Sequence, residues 1–164
     1  MIEVRNLTKS FDGKTILHDV SATFETGKTN LIIGQSGSGK TVLVKSIIGL
    51  IRPEKGQILY DGRDIMQMDS SQIKELRKEI GMLFQGSALF DSETVLGNVA
   101  FPLTMFTDMS AAEIYDRAQF CIERVNLKGA DKKYPSEISG GMQKRVAIAS
   151  AIALNPKSLF CAEP

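Results

Sequence analysis

Short apolar stretches along this chain predict a series of β-strands. Residues 2–7 alternate apolar and polar side chains, as a strand with one buried face does. A turn at Asp12 and Gly13 separates them from a second strand pattern at residues 20–24. Further short apolar runs predict strands at residues 31–33, 57–60, 80–84 and 157–161. The strand patterns therefore lie in the first half of the sequence and at its C-terminal end.

Longer segments with helical spacing of apolar residues lie between these strands, at residues 42–50, 70–79, 94–101 and 140–154. We expect Ser70 or Ser71 to cap the second of these helices, and the third to stop before Pro102. Ser110 and Glu113 form a capping-box pattern, and the helix that they begin carries an apolar face of Ile114, Ala118, Cys121, Ile122 and Val125. Strands on either side of a helical stretch at 85–155 predict an α/β fold with an inserted helical subdomain.

Composition narrows the class of protein. The 164 residues are 43% hydrophobic and 24% charged, as in ordinary globular domains. A net charge of +1 gives no global field for nucleic acid or an anionic membrane, and no apolar run approaches the ~18 residues of a membrane span. Cys121 and Cys161 have no metal or redox spacing, and both lie in apolar segments. We expect two reduced, buried thiols in a cytoplasmic protein.

The most informative motif is the phosphate-loop pattern G-x-x-x-x-G-K-[ST], spelled by Gly34, Gln35, Ser36, Gly37, Ser38, Gly39, Lys40 and Thr41. It follows the strand pattern at 31–33 and opens a helix, which is the context the motif requires. Backbone N–H groups and the helix N-terminus then cradle phosphates, Lys40 reaches the β- and γ-phosphates, and the Thr41 hydroxyl ligates Mg²⁺. A glycine-rich turn matching by chance is the alternative, and the context argues against it. We expect the chain to bind a nucleoside triphosphate together with Mg²⁺.

A second glycine-containing segment precedes the helix at 140–154. Ser139, Gly140, Gly141, Met142 and Gln143 place a hydroxyl and bare N–H groups at a helix N-terminus. A glycine pair at a helix start carries little weight by itself. Together with the phosphate loop, this segment predicts a second phosphate-binding element.

Together with residues 83–85 (Leu-Phe-Gln) and the loop containing Phe11, these motifs resemble those of the ATPase subunits of ATP-binding cassette (ABC) transporters. The resemblance covers the whole chain and implies a P-loop NTPase (RecA-like) core with N-terminal antiparallel β elements. Residues 1–84 and 157–164 would form this core, and residues 85–156 the Q-loop, helical subdomain and signature helix. It implies that Phe11 stacks on adenine, Gln85 contacts Mg²⁺ or the attacking water, and Glu163 is the catalytic base.

The resemblance also implies partners. Two subunits of this family form a head-to-tail homodimer, in which the signature of one, here Ser139 to Gln143, contacts the ATP of the other. Residues after Gln85 face an integral-membrane permease. The stretch from Gln85 to Leu103 looks like that of Mla-type, MCE-associated ATPases, which implies phospholipid transport and an MCE-type substrate-binding protein as a further partner. Nucleic acid is not an expected partner, and the expected location is the cytoplasmic face of the inner membrane.

The sequence departs from the family pattern in its last strand. Ala162 stands where the family has a magnesium-holding aspartate, and a methyl group cannot ligate a metal. The switch histidine of the family has no counterpart, since the single histidine, His18, lies near the N-terminus and is expected to be a surface residue. We therefore expect a fragment that is marginally stable alone and has little ATPase activity.

Three alternatives remain at this point: a nucleotide-binding module without catalysis, the ATPase of another importer or lipoprotein-release system, and a non-transport cassette ATPase. The last is disfavoured, because only one phosphate loop is present and residues 41–138 hold no long coiled coil.

Overall fold

A computed structural model describes residues 1–83, 86 and 88–161, and the chain divides into two units, Met1–Glu75 and Leu76–Pro164. One helix, Ser70–Lys78, runs across the division. Each unit has its own sheet, and each is described separately below.

The first unit is built around a four-stranded antiparallel sheet of β1 (Ile2–Phe11), β2 (Lys14–Phe24), β3 (Lys55–Tyr60) and β4 (Arg63–Asp64), in the order β2-β1-β3-β4. Strands β1 and β2 form a long hairpin around the two-residue turn Asp12-Gly13, where both residues have positive φ, as such a turn requires. Leu7, Ile47 and Ile58 are fully buried in this unit. The other elements are α1 (Lys40–Ile47) between β2 and β3, a short 3-10 turn (Ile65–Gln67) after β4, and then α2 (Ser70–Lys78).

The second unit packs three helices around an apolar core and pairs two strands in parallel. Its elements are β5 (Ile80–Leu83), α3 (Val95–Phe106), α4 (Ala111–Arg124), a 3-10 turn (Pro135–Glu137), α5 (Gly140–Ile152) and β6 (Ser158–Cys161). The core joins side chains from all three helices: Val99, Leu103, Ala118, Cys121, Ile122, Val146 and Ala149. Within the described residues, no helix is long and apolar enough to cross a bilayer.

The expected start of α4 is confirmed in detail. The Ser110 hydroxyl accepts a hydrogen bond from the backbone N–H of Glu113, and the Glu113 carboxylate accepts one from the backbone N–H of Ser110. The Ser110 hydroxyl also donates to that carboxylate, and this is the main reason that the pKa of Glu113 is lowered. The apolar face predicted for α4 is also confirmed, because Ala118, Cys121 and Ile122 are buried in the core.

Helix α1 spans Lys40–Ile47 rather than 42–50, and larger differences from expectation occur at the end of α3 and at the cap of α2. Helix α3 does not stop before Pro102 but continues to Phe106 with Pro102 inside it. The carbonyl of Asn98, which Pro102 leaves without an N–H partner, accepts a hydrogen bond from the Ser150 hydroxyl instead. Helix α2 is capped by Asp69 rather than by a serine, since the Asp69 carboxylate accepts from the Gln72 N–H and the Gln72 side chain accepts from the Asp69 N–H.

The strand expected at residues 31–33 is not formed as a regular element. Leu31 and Ile33 are each 81% exposed, and the segment pairs with no neighbour in the described part of the chain. A strand needs such a neighbour to satisfy its backbone groups, so an apolar run alone does not produce one. Cys161 is a second correction: it lies on the exposed face of β6, whereas Cys121 is fully buried as expected.

Candidate functional site

The phosphate-loop residues form a tight turn that leads directly into α1. The backbone N–H of Ser38 donates to the Gln35 carbonyl at 3.1 Å, and α1 begins at Lys40. Gly37 and Gly39 have φ of 79° and 93°, which residues with a Cβ rarely adopt. The glycines are thus required by the path of the loop, and they leave its N–H groups free of side-chain cover.

The Lys40 ammonium group lies inside the curve of this loop. It donates hydrogen bonds to the carbonyl oxygens of Gly34 at 2.8 Å and Gln35 at 2.9 Å. A cation and the positive end of a helix dipole therefore meet at one point, where an anion is favoured. In this arrangement, a bound phosphate group would replace the two carbonyl oxygens as the hydrogen-bond acceptor of Lys40.

Gly39 attaches the loop to the β1–β2 hairpin. A Cβ at this position would lie 3.1 Å from side-chain carbons of both Ile16 and Leu17 and 3.2 Å from the Ile16 carbonyl oxygen. Phe11 lies at the turn end of the same hairpin, paired with Lys14 and 43% exposed. The first unit thus carries both the phosphate loop and the aromatic side chain expected to stack on a base.

Thr41 is exposed in the first turn of α1. Its hydroxyl is a hard oxygen donor of the kind that Mg²⁺ accepts alongside phosphate oxygens and water. Among the described residues, no cluster of three or more His, Cys, Asp or Glu side chains forms a metal site. By its chemistry, the Thr41 hydroxyl would suit a magnesium ion that is bound together with a triphosphate.

The residues expected to form the signature lie in the second unit at the start of α5. The Ser139 hydroxyl caps this helix by accepting from the Met142 N–H at 3.3 Å, and the Gln143 side chain donates to the Pro135 carbonyl at 2.8 Å. A Cβ added at Gly140 or Gly141 would meet no atom within 4 Å. The glycines are not needed for packing within the described chain, and they leave the helix N-terminus open to another molecule.

Gln85, Ala162 and Glu163 fall outside the described residues. The roles assigned to them from the sequence remain predictions.

A cavity of about 210 Å³ lies in the second unit, close to residues 88–102. Phe90 and Phe101 line it, their ring centroids are 4.6 Å apart, and both are partly exposed. The buried side chain of Asn98, which is 3% exposed, stabilises this part of the cavity wall. Its amide oxygen accepts a hydrogen bond from the Phe90 N–H, and its amide nitrogen donates to the carbonyls of Phe90, Glu93 and Thr94. The sequence pattern indicated the segment from Gln85 to Leu103 as a site of interest, but it did not indicate that Asn98 would hold the segment through hydrogen bonds.

Sequence reasoning also missed two charged residues near Phe11. The Lys9 ammonium group lies 5.0 Å from the centroid of the Phe11 ring, and the Glu54 carboxylate accepts a hydrogen bond from it at 3.1 Å. Lys9 could have been found from its position two residues before Phe11 on a strand, which places both side chains on one face. Glu54 lies 45 residues from Lys9 and carries no such signal.

Comparison with known proteins identifies the family. The ABC transporter family model matches residues 17–164. A probable ribonucleotide transport ATP-binding protein (mkl) of Mycobacterium leprae is 45% identical over 99% of this chain and 47% of its own length. The intermembrane phospholipid transport system ATP-binding protein MlaF of Haemophilus influenzae is 42% identical over the whole chain and 62% of its own length. The chain thus spans about half to three-fifths of the length of these curated relatives.

Solved structures give the same result. The dimeric structure of the bacterial ABC transporter cassette MJ0796 is similar with a TM-score of 0.89 and 32% identity, covering 98% of this chain and 73% of that one. A post-hydrolysis dimer of the same cassette, bound to ADP and Pi, matches equally well. The expected P-loop NTPase fold and the resemblance to Mla-type ATPases are confirmed. The chain belongs to the ABC transporter family of ATP-binding proteins.

Proposed function

We propose that this chain binds ATP through residues 34–41 and that its protein hydrolyses ATP to drive transport through a membrane permease. The observation that carries the proposal is the position of Lys40, whose ammonium group is held inside a glycine loop at the N-terminus of α1. On binding, the lysine exchanges two carbonyl oxygens for phosphate oxygens. Phosphate oxygens carry negative charge, so they form stronger hydrogen bonds with the ammonium group than neutral carbonyl oxygens do.

The nucleotide's other contacts follow from the same unit. Gly34, Gln35, Ser36, Gly37, Ser38 and Gly39 supply the backbone around the phosphates, and Phe11 supplies a stacking surface for adenine. The Thr41 hydroxyl holds Mg²⁺ together with the phosphates, and Gln85 is the second proposed ligand. When bound, the ion neutralises charge that develops during phosphoryl transfer.

Lys40→Ala tests nucleotide binding directly. Loss of the charge-assisted hydrogen bonds should weaken ATP binding by roughly tenfold or more, measured by titration calorimetry. Lys28→Ala is the matched control, because Lys28 is an exposed lysine of the same unit that pairs with Glu25. Equal affinities for the two variants would contradict the proposed site.

Hydrolysis requires a base for the attacking water, and we propose Glu163, aided by Gln85. Ala162 supports the alternative, a module that binds ATP without useful turnover, since an alanine cannot hold the ion. Phosphate release should fall by orders of magnitude in Glu163→Gln, and Ala162→Asp should raise it. If both the unmodified protein and the Ala162→Asp variant bind ATP but neither hydrolyses it, the result would favour the binding module.

We further propose a homodimer in which Ser139, Gly140, Gly141, Met142 and Gln143 contact the ATP of the partner subunit. Gly141→Asp should prevent ATP-dependent dimerisation while leaving ATP binding by each chain intact, because a Cβ at Gly141 meets nothing within 4 Å. Ala112→Asp is the matched control. It introduces the same charge at the second residue of α4, which is the position that Gly141 has in α5, and it is also exposed. Sedimentation with and without ATP distinguishes the two, and equal dimerisation would contradict this interface.

The cavity beside Phe90 and Phe101 supports a permease partner, since it offers partly exposed aromatic surface on the segment that resembles the permease-facing part of Mla-type ATPases. We propose phospholipid as the transported class on that resemblance, with the permease holding the protein at the cytoplasmic face of the inner membrane and an MCE-type protein as a further partner.

In cells that express the protein, Phe101→Asp should release it from the membrane fraction. Tyr115→Asp, which changes an exposed aromatic residue on α4, should not. Release by both variants or by neither would contradict this surface.

A further inference from the structure

One face of the Phe11 ring is covered by a lysine. Lys9 and Phe11 lie two residues apart on β1, and the Lys9 ammonium nitrogen is 5.0 Å from the ring centroid. The Lys9 side chain is only 17% exposed, whereas Phe11 is 43% exposed. Lysine side chains on a surface strand usually extend into water, so something holds this one against the ring.

Glu54 provides that restraint. One carboxylate oxygen accepts from the Lys9 ammonium at 3.1 Å, and the other accepts from the Ser10 backbone N–H at 2.9 Å. The backbone N–H of Glu54 donates to the Thr8 carbonyl at 3.0 Å. Three consecutive residues before Phe11 are thus tied to one residue of the loop that precedes β3. The hydrogen bond from Lys9 is also the largest cause of the lowered pKa of Glu54.

Phe11 itself remains 43% exposed, so its ring keeps open surface for a ligand. We propose that Lys9 and Glu54 are positioning residues for the nucleotide base: Glu54 holds Lys9 over one face of Phe11, and adenine stacks on the opposite face. The proposal rests on the proposed function and adds the residues that act on the base through Phe11. A cation on one side of an aromatic ring is attracted to its electrons and fixes the ring's position.

The chemistry favours a large planar base. Stacking depends on the overlap between the base and the ring, so adenine gains more from a fixed ring than cytosine does. The phosphates, by contrast, would contact Lys40, whose hydrogen bonds go to Gly34 and Gln35, whereas Lys9 contacts Phe11. The base and the triphosphate therefore contribute to binding through different residues and can be measured separately.

The experiment compares three ligands, ATP, CTP and inorganic tripolyphosphate, by titration calorimetry on the same protein. We expect Lys9→Met to weaken ATP binding by roughly twofold to fivefold and to reduce the preference for ATP over CTP, with tripolyphosphate affinity unchanged. Lys9→Arg keeps a cation over the ring and should restore ATP binding to near the original value. Glu54→Gln should weaken ATP binding in the same direction as Lys9→Met, again without affecting tripolyphosphate.

Lys28→Met is the matched control, since it removes an exposed lysine with its own carboxylate partner in the same unit. If Lys9→Met leaves all three affinities unchanged, or lowers ATP and tripolyphosphate affinity by the same factor, the inference is wrong. A general loss of structure would lower ATP and tripolyphosphate affinity by the same factor. If the unmodified protein binds neither ATP nor tripolyphosphate, the proposed function itself fails, and this outcome is distinct from a failure confined to the base.

Discussion

The Ser150 hydroxyl donates a hydrogen bond to the Asn98 backbone carbonyl at 3.1 Å, joining α5 to α3. In an uninterrupted helix, that carbonyl would accept from the N–H of residue 102, but Pro102 has none. A side chain 52 residues away along the chain thus satisfies the backbone group that the proline leaves open. This relationship explains why α3 continues through Pro102 to Phe106.

We predict that Ser150→Ala destabilises the protein by about 1–2 kcal/mol, because it leaves the Asn98 carbonyl without a partner inside the fold. Pro102→Ala restores an N–H that can bond to the same carbonyl. The cost of Ser150→Ala should therefore fall by at least half in the Pro102→Ala background. Urea unfolding of the two single variants and the double variant measures this coupling.

Strict additivity of the two substitutions would contradict this account, since it would mean that Ser150 and Pro102 act on different groups. Thr104→Ala serves as a control. Its hydroxyl also donates to a carbonyl in α3, that of Ala100, but in an exposed position. We expect that variant to cost less than Ser150→Ala.

The features that could be predicted from the sequence are those set by neighbouring residues. The capping box of Ser110 and Glu113 and the turn at Asp12-Gly13 depend on groups within three residues of each other. The phosphate loop was found for the same reason, since glycine spacing and Lys40 define it locally. The order of elements follows from these signals, and the comparisons confirm the fold class they predict.

The features that could not be predicted depend on distant partners. Pro102 is a helix breaker by local rules and is tolerated only because Ser150 reaches its helix. The apolar run at residues 31–33 matches a strand locally, yet strand formation depends on a pairing partner that local sequence does not specify. Glu54 beside Lys9 is a third case, because a solvated glutamate and a positioning glutamate have the same local pattern.

Two glycines of the phosphate loop should respond differently to alanine. Both have positive φ, so each substitution strains the backbone by about 1 kcal/mol. A Cβ at Gly37 would meet nothing within 4 Å, whereas one at Gly39 would lie 3.2 Å from the Ile16 carbonyl oxygen and 3.1 Å from side-chain carbons. We predict that Gly39→Ala costs at least 1 kcal/mol more than Gly37→Ala, since overpacking adds to the strain. Urea midpoints of the two variants check this, and equal midpoints would contradict the close approach of loop and hairpin.

The two cysteines should differ in reactivity. Cys121 is fully buried in the helical core, and burial raises the pKa of its thiol, which lowers the fraction of reactive thiolate. Cys161 is exposed on β6. In the native protein near pH 8, a thiol reagent should modify Cys161 rapidly and Cys121 only on unfolding, as followed by mass spectrometry. Cys161→Ser should remove the rapid reaction and Cys121→Ser should retain it, and rapid loss of both thiols would contradict the buried position of Cys121.

Tyr60 should make the stability of the protein sensitive to alkaline pH. Its hydroxyl donates to the Ile47 carbonyl at 2.9 Å, and burial raises its pKa above the ordinary value. Because the folded protein holds the proton more tightly than the unfolded chain, this contribution is complete below about pH 10 and is lost as the pH rises further. Tyr60→Phe should therefore cost about 1 kcal/mol at neutral pH and flatten the fall in stability above about pH 10. Tyr115→Phe, at a tyrosine that is 50% exposed, is the control, because effects of alkaline pH that both variants share cancel in the comparison. Parallel pH profiles for the two variants would mean that Tyr60 ionises as readily in the folded protein as in the unfolded chain.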